Sequence, residues 1–147
     1  MNVILKGEWF ATLYGENGAV KDYREGSNII TEVGKSFLVE YLNSAAASAT
    51  KWDMFQIAVG SDSTAEAASN TALGTELARQ TGTGGEAAGA IYRVTATFTS
   101  GIGTGGIVEY GLFSSSTGGT MFSRDTEDII NKGANDILTV TTDITVS

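Results

Sequence analysis

Apolar and polar positions alternate along much of this chain. The cleanest run is residues 90–99, where Tyr92, Val94, Ala96 and Phe98 share one side and Arg93, Thr95, Thr97 and Thr99 the other. A period of two is the mark of a half-buried strand. Residues 3–14 repeat it, with Val3, Leu5, Trp9, Ala11 and Leu13 on the apolar side. Lys6, Glu8 and Thr12 oppose them, but Ile4 and Phe10 interrupt that polar side, so some of it is expected to be covered. Further strands are predicted over 54–59 (Phe55, Ile57, Val59 inward), 107–113 (Val108, Tyr110, Leu112 inward) and 137–146 (Leu138, Val140, Ile144, Val146 inward). Shorter ones are predicted over 19–23 and 120–124.

The period changes once. Over residues 31–43, Val33, Phe37, Leu38, Tyr41 and Leu42 fall on one helical face, which reads as core. Thr31 suits the N-cap and Glu32 the positive end of the helix dipole. Gly34 weakens the first turn by about 1 kcal/mol relative to alanine. Asn17-Gly18 between two strand-like runs signals a hairpin. Residues 44–50 and 61–71 read as loops, with Asn70 capping a short helical turn over TALGTEL. Residues 81–89 read as a flexible connection, and turns are expected at 101–106, 117–119 and 132–136. Many short strands with glycine-rich turns make the fold mainly β: a β-sandwich, jelly-roll-like, with one short helix over about residues 31–43 packed against it. A single domain over 1–147 is expected.

Composition narrows the chemistry. The chain has 147 residues with no cysteine and no histidine, which excludes thiolate metal sites, Cys nucleophiles, Ser-His-Asp triads and HExxH centres. A net charge of −8 opposes binding to phosphate backbones, so no nucleic-acid partner is expected. No apolar run approaches the roughly 20 residues of a membrane span. The N-terminus has no basic stretch followed by an apolar one, so no signal peptide is expected.

Three stretches invite a ligand. Gly101, Gly103 and Gly106 match GxGxxG, but residues 107–113 alternate as a strand, so no helix N-terminus would receive a phosphate. A glycine-rich hairpin loop is expected there. Asp62, Ser63, Thr64 and Glu66 offer oxygens without the DxDxDG calcium pattern. Asp125, Glu127 and Asp128 could in principle do acid–base work, but read as a solvated loop between strands. No nucleophile elbow occurs. Catalytic, cofactor and metal residues are therefore expected to be none, and the protein is expected not to be an enzyme. Glu109 lies between Val108 and Tyr110; if buried it needs a cation, and Arg79 is the expected partner in a structural ion pair.

The segments NIITEVGKSFLVEYL, FQIAVGSDSTAEAASNTALGTELAR, YRVTATFTSGIGTGGIVEYGLFSS and INKGANDILTVTTDITV together resemble a group of small tailed-bacteriophage virion proteins. Thr71, Ala72, Leu73, Glu76, Leu77 and Arg79 match its TALxxELxR pattern, and Glu109, Gly111, Leu112 and Phe113 its E-x-GLF strand. Val59-Gly60-Ser61-Asp62 departs from the usual double glycine. The resemblance covers residues 28–146 and implies a non-enzymatic building block of a phage particle, without cofactor. The leading placement is a capsid decoration (cement) protein on the capsid surface, bridging major capsid protein subunits. The alternative is a tail, baseplate or short tail-fibre module, possible in a glycan-binding form through Trp9, Trp52, Tyr14 and Tyr23. Either is assembled in the host bacterial cytoplasm. A homo-oligomer, favoured as a trimer, is expected, with Ile4 and Phe10 as interface candidates.

Overall fold

The computed structural model describes residues 2–43 and 54–147. Nine strands and one helix run in the order β1 (Leu5–Tyr14), β2 (Val20–Ile30), α1 (Glu32–Asn43), β3 (Gln56–Gly60), β4 (Glu76–Thr81), β5 (Thr83–Ala88), β6 (Ile91–Phe98), β7 (Gly105–Phe113), β8 (Met121–Lys132) and β9 (Ile137–Val146). The predicted loop over 44–50 lies outside the described residues. Each strand pairing is antiparallel, and the hydrogen-bonded order is β4-β3-β7-β8-β2-β1-β9-β6-β5. The fold is mainly β, a sandwich that closes toward a barrel.

Two strands change layers and so turn its edges. β2 pairs with β1 from Gly7↔Asn28 to Tyr14↔Val20, but reaches β8 only through Ile29↔Arg124 and Ile30↔Ser123. On the opposite side β4 pairs with β3, the chain bends at Gly82, and β5 pairs with β6. Gly82 N–H donates to Phe55 O at 2.7 Å. A Cβ there would sit 2.8 Å from Thr95 O, so the bend needs glycine for close approach rather than for an unusual φ. Between the layers lie Trp9, Ala11, Leu13, Val94, Phe98, Leu138 and Val140 from one sheet, and Ile57, Val59, Tyr110, Leu112 and Ile130 from the other.

The helix starts as predicted. Thr31 Oγ1 accepts from Gly34 N–H at 2.9 Å, and it donates to Met121 O at 2.5 Å, tying the cap to β8. Gly34 has a second role: a Cβ would meet Phe122 O at 2.4 Å, so glycine lets the helix lie against the strand backbone. The apolar stripe is only partly core. Phe37 and Leu38 pack against the core, whereas Leu42 is 78% exposed.

Several expectations are corrected. The TALGTEL segment is not helical; its last residues begin β4. The connection over 81–89 is mostly strand β5, formed by backbone pairing with β6 despite its weak side-chain pattern. The Gly101–Gly106 turn is not a hairpin loop, because β6 and β7 sit in different layers and never pair; it is an arch. Strand β8 runs twelve residues rather than five. In β7, Tyr110 and Leu112 face the core, but a bulge between Ile107 and Glu109 puts Ile107, not Val108, with them.

Candidate functional site: two polar clusters on opposite faces of β7 and β8

On the outer face, Arg79 (β4), Ala58 (β3), Gly111 (β7) and Arg124 (β8) stand opposite one another in register. The small central residues leave room for segment 61–75 to lie across the sheet. Glu109, fully buried, anchors it. Its Oε1 accepts from Thr75 N–H (2.8 Å) and Asp62 N–H (3.2 Å). Its Oε2 accepts from Gly74 N–H (2.9 Å) and from Arg124 Nη2 and Nε (3.0 and 3.2 Å). Arg124, 2% exposed, also donates to Asn70 Oδ1 and Thr64 O. Charge and hydrogen-bonding capacity are thus matched inside the protein, as a buried pair requires. Asn70 is used here and not as a helix cap; its Oδ1 also accepts from Ala67 N–H. Asp62 Oδ1 accepts from the backbone and hydroxyl of Thr64, which lowers the Asp62 pKa.

The expected Arg79–Glu109 pair is therefore corrected. Arg79 grips Glu76 through two bonds of 2.9 and 2.7 Å, donates to Ser115 O and Gly118 O, and lies 3.7 Å over the Phe113 ring. The two arginines flank Gly111 and take different β7 neighbours: Arg124 takes Glu109 and Arg79 takes Phe113. Sequence reasoning saw that Glu109 needs a cation. The β7–β8 register that supplies Arg124 has no signature in the chain.

On the inner face a second cluster surrounds the place where β2 leaves β8. Asp125 is opposite Tyr110 and 1% exposed, not part of a solvated loop as expected. Glu127 is half-buried and Asp128 exposed. Gly26 of β2 faces them, and Gly7 of β1 makes room for Asn28. Trp9 stacks near Tyr110, with ring centres 5.8 Å apart. Among the described residues, and with both acids ionised, six buried atoms here have no hydrogen-bond partner: Trp9 Nε1, Arg24 Nε, Asn28 Oδ1, Tyr110 Oη, Ser123 Oγ and Asp125 Oδ2. Burial, then the hydrogen bond and charge of Glu127, push the Asp125 pKa up to about 8. Burial, then the Asp125 and Glu127 charges, raise that of Tyr110.

Of the interface candidates, Ile4 is half exposed and its backbone pairs with Ser147, extending the β1–β9 ladder; Phe10 is partly buried on the outward side of β1. Of the glycan candidates, Trp9 is 1% exposed and offers no stacking face, in keeping with its place on the apolar side of β1. Tyr14 is half-buried, Tyr23 is exposed, and Trp52 lies outside the described residues. An apolar cavity of about 590 Å³ opens beneath α1, walled in part by Leu5, Phe37, Leu38, Phe55 and Ile144. Among the described residues, no helix is long and apolar enough to cross a membrane, and no three or more acidic groups converge as a metal site.

In comparisons with known proteins, no family model matches the chain, and no curated protein or solved structure is significantly similar to it.

Proposed function

We propose that this chain is a non-enzymatic structural protein of a bacteriophage particle, and within it a capsid decoration protein that bridges major capsid subunits as a homotrimer. The observation that carries this reading is where the virion-like motif residues go. Of the ten matched residues, Leu112 enters the main core, Thr71, Ala72 and Leu77 are exposed, and Leu73, Glu76, Arg79, Glu109, Gly111 and Phe113 are used in one packing unit on the outer face of β7. Their chemistry is consumed in fixing segment 61–75 to the sheet. Residues used in this way specify a rigid shape, which is what a lattice-bridging protein needs. Reinforcement then comes from area buried between neighbours, not from a reaction.

Two measurements test it. An electron-microscopy map of intact particles is expected to place density for this chain on the capsid surface, at sites between major capsid subunits. Density at the tail moves it to a tail or baseplate module, and absence from particles ends the reading. In solution, Phe10→Asp leaves a folded chain but reduces the trimer by light scattering. An unchanged assembly removes Phe10 from the interface. Glycan binding that depends on Trp52 would favour the fibre alternative.

A further inference from the structure

We propose that Asp125 and Glu127 form one proton-binding site inside the sandwich, a carboxylic acid–carboxylate pair that closes the wedge where β2 leaves β8. β2 and β8 share two register pairs and then diverge toward different sheets. The two carboxyl groups fill the opening over Gly26. The point a Cβ of residue 26 would occupy lies 1.4 Å from Glu127 Oε1 and 3.2 Å from Asp125 Oδ2. Glycine at that position lets both acids converge on one spot.

Asp125 Oδ2 is buried and, among the described residues, has no donor. An ionised oxygen in that position bears a large desolvation cost. Protonated, it becomes a donor, and Glu127 Oε1 is the acceptor beside it. Neighbouring cations do not supply the missing donor. Arg124 points to the opposite face of β8. Arg24 spends Nη1 on Asp22 and Tyr23 O and Nη2 on Ile129 O, and its buried Nε makes no hydrogen bond to either acid. The titratable and charged groups around the pair are Tyr110 on β7, Asp22 and Arg24 on β2, and Glu66 from the segment after β3. Two of these four are carboxylates, Asp22 being paired with Arg24, Tyr110 is held neutral, and Tyr110 Oη and Ser123 Oγ are buried without partners among the described residues. Two carboxylates in such surroundings retain a proton between them. Removing it sets two like charges against each other where the sheets join.

The sign follows from proton counting. Folded Asp125 holds its proton up to about pH 8, whereas an unfolded aspartate releases it near 3.8. The folded state binds more protons between those values, so this group's stabilisation is complete below the unfolded pKa and is lost as pH rises through the folded one. The test is carboxyl-carbon NMR on protein labelled at Asp and Glu, with Asp125→Asn assigning the resonance. The expected wild-type midpoint is near 8, and Glu127→Gln lowers it by about one pH unit or more, tenfold in proton affinity. Asp125→Asn also flattens the fall in thermal midpoint across that window. An Asp125 resonance titrating near 3.8, or a midpoint unmoved by Glu127→Gln, overturns the proposal. If Asp125→Asn does not fold, the wild-type and Glu127→Gln titrations decide it.

Discussion

At the scale of single residues, Glu109 carries the most. Its fully buried carboxylate receives three backbone N–H groups and the buried Arg124 guanidinium. Glu109→Gln leaves Arg124 charged and uncompensated and sets an amide NH₂ among donors. The expected cost is about 3–5 kcal/mol by urea denaturation. Arg79→Lys keeps the charge but loses the fork on Glu76 and much of the stacking on Phe113. That substitution is expected to cost about 1–2 kcal/mol. A double-mutant cycle should give a larger coupling for Glu109 with Arg124 than for Glu109 with Arg79; the reverse order would contradict the observed pairing.

Among elements, α1 poses a contest of sign. Gly34→Ala improves helix propensity by about 1 kcal/mol. It also drives a methyl into the Phe122 carbonyl, where overpacking costs about 1–3 kcal/mol. The neighbour is backbone and cannot swing away, so net destabilisation is expected; a raised thermal midpoint would mean that the helix shifts freely. Strands with one wet face were legible from the chain. β6 and most of β1 and β9 show their inward residues by alternation alone, although Val146, expected inward, is 44% exposed at the end of β9. β7 and β8 were not, for a physical reason: segment 61–75 covers their outer face, so polar residues there are as buried as apolar ones. Glu109 consequently lies out of water on that face, whereas Asp125, on the inner face, read as a solvated loop because the strand predicted over 120–124 stopped one residue short of it. A bulge at Val108 then shifted the parity that would have placed Ile107. β5, rich in glycine and alanine, is specified by hydrogen bonds to β6 and not by its side chains. Of the candidate site, the need for a cation beside Glu109 was legible, while its source depended on register.

For the whole molecule, pH exposes opposing contributions. Asp125, with its raised pKa, makes stability fall between about pH 4 and about pH 8. Asp136 acts oppositely: the Lys21 ammonium, then Gly133 N–H, hold its pKa below the ordinary value. Its contribution is present above the unfolded pKa and is lost as pH falls through the folded one. Asp62 has the same sign through its bonds to Thr64. Thermal midpoints across this range should therefore peak on the mildly acidic side of neutrality; a midpoint still rising at pH 8 would contradict the assignment.

The Ile4–Ser147 backbone pair has a mechanical consequence. β1 and β9 run antiparallel with residues 4 and 147 side by side at one end of their ladder. A load applied between those two residues opens the ladder one rung at a time, like a zipper. Pulling instead between Tyr14, at the opposite end of β1, and Ser147 loads many rungs in shear together. Single-molecule stretching with the two attachment geometries should give a lower rupture force for the first. Equal forces would mean that the resisting structure lies elsewhere, and the corner strands would be the next elements to examine.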